Sequence, residues 1–185
     1  MTTIVGVQGI DFAVLVADSQ ITEDNLVTLA TSTPKIVETG KFLIGISGDT
    51  RPGDILSYNW KPPIYKGEDP VQFMGKKVIP SIINAFNDNS YDYNKVDKEG
   101  GFDYLVAFNG NLFRIACDLS FFGSNRDVYA IGSGGQFALG YLYSICKPDM
   151  ELDYATKHAR KAVEIAEVLD SNTGKPLQLV VQERG

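Results

Sequence analysis

The fold is decided by residues 1–17, which read MTTIVGVQGIDFAVLVA. This stretch contains two short apolar runs, residues 3–7 and 12–17, and the turn-forming residues Gly9, Ile10 and Asp11 separate them. Two apolar runs that are joined by a short turn containing glycine predict a β-hairpin. Every side chain of the second run is apolar, so we expect its strand to be buried on both faces.

Further strand and helix patterns follow along the chain. Apolar segments at 25–30, 35–37 and 41–46 predict a β-meander over the first 50 residues. Asp69 followed by Pro70 predicts the start of a helix that Pro80 interrupts, because aspartate caps helices and proline suits their first turn. The other predicted elements are a helix at 53–60, a polar loop at 87–101, a hairpin at 102–116 around Asn109-Gly110-Asn111, a strand at 128–131, helices at 137–146 and 155–169, and a strand at 177–181.

Two kinds of apolar pattern point to one architecture. Strands that are apolar on both faces occur together with helices that are apolar on one face, such as the helix whose stripe is Ala155, Ala159, Ala162, Ala166 and Leu169. This combination predicts an α+β fold in which two stacked sheets carry a layer of helices on each outer side. The length of 185 residues, with 44% hydrophobic and 22% charged residues, predicts a single globular domain over 1–185.

Charge and composition exclude several classes of protein. The chain has 17 basic and 23 acidic residues, a net charge of -6, and no basic run longer than two residues, so no nucleic-acid partner is expected. The uncharged stretch 128–146 is interrupted by glycines, and its apolar part is too short to cross a bilayer, so no membrane partner is expected. Met1-Thr2-Thr3 does not open a signal peptide, which predicts a cytoplasmic protein.

The cysteines and the single histidine limit the chemistry. Cys117 and Cys146 have apolar neighbours and no metal-ligand spacing, so we expect two buried, reduced thiols. His158 stands between Lys157 and Arg160 and is expected to be a solvated surface residue. Ser-His-Asp, Cys-His and three-histidine zinc chemistry all need an imidazole at the reacting group. We therefore expect no metal and no cofactor, and a proton shuttle other than histidine.

The second residue offers hydrolytic chemistry without histidine. If Met1 is removed, which a small residue at position 2 permits, Thr2 carries a hydroxyl and a free α-amine together. The ordinary pKa of an α-amine is about 7.7–8.0, so part of it is neutral at physiological pH and can take the hydroxyl proton. Residues 132–137, GSGGQF, lack the features of a nucleotide-binding loop and predict a tight strand-to-helix turn, with backbone amides and a serine hydroxyl facing a site.

Several segments together resemble those of a known family, in the same order along the chain. They are TTIVGV at 2–7, VADSQIT at 16–22, a lysine at 35 before an apolar pair, GISGD at 45–49, AIGSGG at 130–135 and DSNTG at 170–174. Each segment is short, but the ordered set is similar to the proteasome β-subunits and to the bacterial peptidase HslV. The resemblance implies an N-terminal nucleophile hydrolase, a four-layer αββα sandwich that cleaves peptide bonds.

The resemblance also implies a role for each matched residue. Thr2 would be the nucleophile and its α-amine the general base. The Lys35 ammonium would lower the pKa of the Thr2 hydroxyl, and Asp18 would hold that ammonium. The other implied site residues are Gly45, whose N–H would donate to the oxyanion, and Ser133, Asp170 and Thr173, which would position the α-amine and a water. Thr173 stands where the family has serine.

Substrate contacts and partners are implied in the same way. The backbones of Thr22 and Ser47 would pair with an extended substrate, as in β-strand addition. The pocket for the substrate residue before the cut bond would be lined by Ile21, Val37 and Leu43, with Ser47 and Arg51 at its edge, and would prefer apolar or uncharged side chains. The implied partners are further copies of the chain in a hexameric or heptameric ring, single or stacked, an unfolded polypeptide or peptide substrate, and an ATPase unfoldase.

Two other functions use the same fold. A non-catalytic ring or assembly protein would keep the sandwich without the chemistry of Thr2. An amidase with an N-terminal nucleophile would apply the same chemistry to a small molecule instead of a polypeptide. Both alternatives stay open at the level of sequence.

Overall fold

The computed structural model describes residues 2–23, 26–28, 33–95, 101–124, 126–147 and 149–185. Their strands form two larger antiparallel sheets and one small hairpin. The first sheet has the order β10-β1-β2-β11, with β1 at Thr3–Gln8, β2 at Phe12–Ala17, β10 at Val128–Gly132 and β11 at Gln178–Glu183. The second sheet has the order β5-β6-β7-β8-β9, with β5 at Ile36–Thr39, β6 at Phe42–Gly48, β7 at Phe102–Phe108, β8 at Asn111–Ile115 and β9 at Phe121–Phe122. The small hairpin pairs β3, Ile21–Glu23, with β4, Leu26–Thr28.

The helices cover the outer faces of the two sheets. Helix α4, Gly135–Ile145, and helix α5, Leu152–Leu169, pack on the first sheet in an apolar cluster that includes Val5, Val14 and Ala159. The second sheet is covered by α1, Thr50–Tyr58, and by a long helix composed of α2 at Pro70–Phe73, a π-helical segment at Met74–Val78 and α3 at Ile79–Asp88. A short 3₁₀ helix follows at Tyr93–Lys95.

The inner faces of the two sheets pack against each other. Ile4 and Leu15 of the first sheet share a buried cluster with Leu43 and Leu105 of the second sheet. Successive side chains of a strand point to opposite faces, so β2 can fill the helix-facing cluster and this inner cluster at once. All six residues of β2 are buried, as its sequence predicted. The expected α+β, four-layer αββα sandwich is thereby confirmed.

Some predicted elements are right because the signal is local. The Asp69 carboxylate accepts a hydrogen bond from the Gln72 N–H at 2.9 Å, and Pro70 occupies the first helical position, as predicted. The turn between β7 and β8 has positive φ angles at Asn109 and Gly110, which asparagine and glycine tolerate best. The expected interruption at Pro80 is wrong: the helix continues past that residue to Asp88, and a π-helical segment lies just before the proline.

Other predictions are wrong. The first 50 residues do not form one meander, because β1 and β2 lie in one sheet and β5 and β6 in the other. The helix expected at 53–60 begins earlier, at Thr50, since the Asp49 carboxylate caps it by accepting from the Arg51 N–H at 3.0 Å. Of the polar loop expected at 87–101, residues 87 and 88 belong to α3, and 96–100 lie outside the described residues. Of the strand expected at 25–30, residues 25, 29 and 30 also lie outside them.

The histidine and the cysteines also differ from expectation. His158 is half-buried, its Nδ1 lies 2.5 Å from the Tyr141 hydroxyl, and its ring centroid lies 4.2 Å from that of Tyr154. It is therefore a partnered residue of the α4–α5 layer instead of a solvated one. Cys117 and Cys146 are free thiols, as expected, but are half-buried. No helix within the described part of the chain combines the length and the apolar character needed to cross a membrane.

Candidate active site

The candidate site lies where β1 begins. Thr3 opens β1 and pairs with Gly132 of β10, while Asp18 directly follows β2. Ile4 faces the other sheet and Val5 faces the helices, so the two-residue period of a strand places the Thr2 side chain on the face of Ile4. In the chain that still carries Met1, Thr2 has an exposed fraction of 4%. Thr2 therefore sits at the end of the inter-sheet layer with little access to solvent.

Asp18 is the centre of the first half of the site. Its carboxylate is 0% exposed and accepts four hydrogen bonds. One oxygen accepts from the Thr3 N–H at 2.9 Å and from the Lys35 ammonium at 2.7 Å. The other oxygen accepts from the backbone N–H groups of Gln20 at 3.0 Å and Gly174 at 3.1 Å. Because Thr3 N forms the peptide bond with Thr2, the shared oxygen holds the Lys35 ammonium beside that peptide unit.

Lys35 is a buried cation with a carboxylate partner. Its side chain is 10% exposed, and its ammonium also donates to the Gln20 carbonyl at 2.5 Å. Burial lowers the pKa of Lys35 below its ordinary value, while the charges of Asp18 and Asp170 and the hydrogen bond to Asp18 oppose that change. A lysine in this setting can present a positive charge to a neighbouring oxygen and can give up a proton more readily than a surface lysine.

Asp170 is the centre of the second half of the site. It follows α5, and one of its carboxylate oxygens accepts from the Ser133 hydroxyl at 2.8 Å and from the Thr173 hydroxyl at 2.7 Å. Burial tends to raise the pKa of Asp170, but hydrogen bonds from Thr173, Ser133 and Asn172 outweigh burial and hold this pKa below its ordinary value. The Ser133 hydroxyl lies 3.4 Å from the Thr2 carbonyl oxygen, so the Asp170 group reaches the same peptide unit as Asp18 does.

Two participants were not predicted from the sequence. The Thr3 hydroxyl lies 2.6 Å from the Thr173 hydroxyl, and the Gln20 side-chain amide donates to the Ser171 carbonyl at 2.7 Å. The feature of the sequence that could have indicated these two residues is a pair of glycines, one of which lies against each of the two side chains. A Cβ atom on Gly134 would lie 2.1 Å from the Thr3 hydroxyl oxygen, and one on Gly174 would lie 2.3 Å from the Gln20 side-chain oxygen.

Glycine is also required beside Thr2 itself. Gly132 has a φ of +87°, and a Cβ atom there would lie 1.9 Å from the Thr2 carbonyl oxygen and 3.0 Å from the Ser47 hydroxyl. Because both oxygens lie close to this one position, the Ser47 hydroxyl lies near Thr2, on the inner face of β6. Ser47 is 7% exposed. Gly45, two residues earlier, is on the same face, where a Cβ atom would lie 3.0 Å from Ile4.

The residues expected to form the substrate pocket are distributed over several surfaces. Ile21 is 36% exposed, and the Thr22 hydroxyl accepts from the Gln20 side-chain amide at 3.2 Å. Val37 packs against the cluster outside the second sheet, whereas Leu43 is buried in the cluster between the sheets. Leu43 also lines a cavity of about 810 Å³ between the turn at Gly40 and β11. Arg51 is exposed in the first turn of α1.

The described residues contain no group of three or more histidine, cysteine, aspartate or glutamate side chains that could hold a metal ion. The chemistry available here is that of two carboxylates, one buried ammonium and several hydroxyls that meet at the first peptide unit of β1. Such a group can hold and exchange protons beside that peptide unit.

The comparisons with known proteins match part of the chain by sequence and nearly all of it by structure. Residues 104–182 match the family model described as the proteasome subunit. No curated protein sequence matches the chain.

Solved structures share the whole fold. BPH from Thiobacillus denitrificans in complex with epoxomicin has a TM-score of 0.75 and 21% identity, over 99% of this chain and 99% of that chain. A second structure of BPH from Thiobacillus denitrificans has a TM-score of 0.75 and 21% identity, over 99% of this chain and 98% of that chain. Eukaryotic HslV from Trypanosoma brucei has a TM-score of 0.69 and 23% identity, over 98% of this chain and 99% of that chain. The match over residues 104–182 shows that this part of the chain is similar to proteasome subunits, as the sequence motifs indicated, and the solved structures show that the chain shares the fold of BPH and HslV.

Proposed function

We propose that this chain is the subunit of a threonine peptidase that cleaves unfolded polypeptides inside a ring of its own copies, after Met1 has been removed. The observation that carries the proposal is the buried Asp18 carboxylate, one oxygen of which binds both the Thr3 N–H and the Lys35 ammonium. This contact fixes a cation beside the residue that becomes the N-terminus.

The proposed reaction uses the groups of one residue. The free α-amine of Thr2 accepts the proton of the Thr2 hydroxyl, and the oxygen attacks the carbonyl carbon of the substrate peptide bond. The Lys35 ammonium favours the ionised form of the attacking oxygen. The Gly45 N–H donates to the oxyanion of the tetrahedral intermediate.

The second step releases the products. Collapse of the intermediate breaks the C–N bond, and the protonated α-amine returns its proton to the leaving amine. Water then attacks the ester on Thr2, and the α-amine takes a proton from that water. The C–O bond to Thr2 breaks, the α-amine returns the proton to the Thr2 oxygen, and the acid product leaves. Ser133, Asp170 and Thr173 would orient the α-amine and the water, since Ser133 reaches the Thr2 carbonyl and shares Asp170 with Thr173.

The family match and the fold support a peptidase subunit that works in an assembly. We propose a cytoplasmic ring of six or seven copies, single or stacked, which receives polypeptide from an ATPase unfoldase. The Thiobacillus BPH was solved in complex with epoxomicin, so a peptide epoxyketone such as epoxomicin is a suitable probe for the site proposed here. We also propose a preference for apolar or uncharged residues before the cut bond, which the 36% exposed side chain of Ile21 could contact.

The experiment compares Thr2→Ala and Thr2→Ser with the wild-type protein on a fluorogenic peptide that has an apolar residue before the cut bond. Both side chains are small, so Met1 removal is expected in each variant and is checked by mass. Thr2→Ser keeps a hydroxyl and is expected to retain cleavage, whereas Thr2→Ala is expected to lose it. Equal cleavage by Thr2→Ala and the wild type would show that another residue performs the hydrolysis.

A non-catalytic assembly protein is the second candidate, and the burial of Thr2 at 4% exposure favours it. In that case Met1 would be retained, and the wild type would form a ring that cleaves no peptide. An amidase that acts on a small molecule would instead lose activity in Thr2→Ala while cleaving no polypeptide. Measurement of the assembly mass and of a panel of peptide and small amide substrates separates these outcomes.

A further inference from the structure

We propose that Thr3 is a positioning residue for the reaction of Thr2, and that it acts by joining the two carboxylate groups of the site. This inference rests on the proposed function. The backbone and the side chain of Thr3 contact different halves of the site: its N–H donates to Asp18 at 2.9 Å, and its hydroxyl lies 2.6 Å from that of Thr173.

The direction of these hydrogen bonds follows from the chemistry of Asp170. An ionised carboxylate only accepts hydrogen bonds, and the pKa of Asp170 lies below its ordinary value. The Thr173 hydroxyl must therefore use its proton toward Asp170, at 2.7 Å. The 2.6 Å contact between Thr3 and Thr173 then has one arrangement, in which the Thr3 hydroxyl donates and the Thr173 oxygen accepts.

Burial makes this arrangement hard to replace. Thr3 is 0% exposed and Thr173 is 4% exposed, so the hydroxyl pair has little contact with bulk water. Gly134 closes the other side, because a Cβ atom there would lie 2.1 Å from the Thr3 hydroxyl oxygen and 2.8 Å from that of Thr173. If the Thr3 hydroxyl is removed, the Thr173 oxygen loses this donor at a site that bulk water hardly reaches.

The consequence reaches Thr2 by two routes. The Thr3 N–H fixes the peptide unit that follows Thr2, and Asp18 connects that unit to Lys35. The Thr3 hydroxyl fixes Thr173, and through it Asp170 and Ser133, which reaches the Thr2 carbonyl oxygen. Thr3 thus sets the relative position of the cation and of the groups around the α-amine, and touches neither the substrate nor the reacting atoms.

The test uses the assembled protein from which Met1 has been removed. Thr3→Val keeps the branched shape and removes the hydroxyl, and Thr3→Ser keeps the hydroxyl and removes the methyl group. Thr39→Val is the matched control, because Thr39 also lies in a strand and its hydroxyl donates to the Leu56 carbonyl at 3.1 Å. kcat and KM are measured on one fluorogenic peptide, with the assembly mass and Tm of each variant.

The expected result is a kcat about tenfold or more below wild type in Thr3→Val, with KM within about twofold, since a misplaced reacting group slows chemistry more than binding. Thr3→Ser should stay within about threefold of wild type, and Thr39→Val should match wild type. If Thr3→Val does not assemble, Thr3→Ala replaces it, with Thr3→Ser again as the variant expected to be active.

Two outcomes overturn the inference. Wild-type kcat in the variant without the hydroxyl, or an equal loss of kcat in Thr3→Ser, would show that the hydroxyl is not needed. A double variant, Thr3→Val with Thr173→Val, should lose no more kcat than Thr173→Val alone, and additive losses would show that Thr3 does not act through Thr173. Absence of cleavage by the wild type would instead reject the peptidase proposal, and the role of Thr3 with it.

Discussion

Replacing Asp18 by asparagine should cause a large and pH-dependent loss of stability. The carboxylate is 0% exposed and accepts two hydrogen bonds on each oxygen. An asparagine side chain of the same shape has one oxygen and one NH₂ group. Whichever way the amide lies, its NH₂ group faces two donors: the Thr3 N–H and the Lys35 ammonium, or the N–H groups of Gln20 and Gly174.

The magnitude follows from the burial of the ion pair. Breaking a buried pair by removing one partner costs about 3–5 kcal/mol, because the other charge is left without compensation. With an m-value of about 2 kcal/mol/M in urea, the unfolding midpoint of Asp18→Asn should fall by roughly 1.5–2.5 M. The matched control is Asp103→Asn. Asp103 pairs with Arg114 at 2.8 Å, but the two side chains are 27% and 36% exposed, so about 0–1 kcal/mol is expected.

The loss should depend on pH through Lys35. Burial already lowers the pKa of Lys35, and Asp18 opposes that effect, so removing the negative charge lowers this pKa further. A folded-state pKa below the unfolded-state value destabilises the protein at pH values where the lysine is charged in both states. This penalty falls as the pH rises above the folded-state pKa and is gone above the unfolded-state pKa. Asp18→Asn should therefore be closer to wild type at pH 10 than at pH 7.

The assay is urea unfolding, followed by circular dichroism at fixed protomer concentration, because assembly makes stability depend on concentration. Asp18→Asn, Asp103→Asn and wild type are compared at pH 7 and pH 10. The reasoning is refuted if Asp18→Asn loses no more than Asp103→Asn at pH 7, or if its deficit relative to wild type grows at pH 10.

Three further perturbations test other parts of the site and fold. Lys35→Met removes the cation beside Thr2, and kcat should fall by about 10²-fold or more; a loss under tenfold would contradict its role. Thr173→Val removes a hydrogen bond from ionised Asp170 and raises that pKa. Ionised Asp170 stabilises the folded protein at pH values above its unfolded-state pKa, and this stabilisation is lost as the pH falls. With a higher folded-state pKa it is lost at a higher pH, so the midpoint of acid unfolding should move to higher pH; an unchanged midpoint contradicts this. Gln178→Leu leaves the buried backbone of Ile36 without its partners at 2.6 and 3.0 Å and should cost about 1–3 kcal/mol in urea unfolding; no measurable loss would contradict that link.

Local signals in the sequence predicted local structure well. The hairpin of β1 and β2, the helix start at Asp69-Pro70 and the turn at Asn109-Gly110 each depend on neighbouring residues, and all are present. The division of the early strands between two sheets was not predictable in this way. Gly45 of β6 pairs with Leu105 of β7, and that contact between distant residues depends on how the whole chain packs.

The candidate site shows the same limit. Motif order indicated Asp18, Lys35 and Asp170, and the structure places each of them in hydrogen-bond networks around Thr2 and Thr3. Thr3 itself was read as the first residue of a strand, because its partner Thr173 lies 170 positions later in the chain. A hydroxyl pair at that separation leaves no periodic pattern in the sequence.

The most direct test of the central claim is the intact mass of the purified chain before and after treatment with a peptide epoxyketone, followed by mapping of the modified peptide. The account predicts a chain that lacks Met1 and one adduct, on the peptide that begins at Thr2, because the epoxide and the ketone of the probe can react with a hydroxyl and a free amine of the same residue. Full retention of Met1 without an adduct, or an adduct on any other residue, would contradict it.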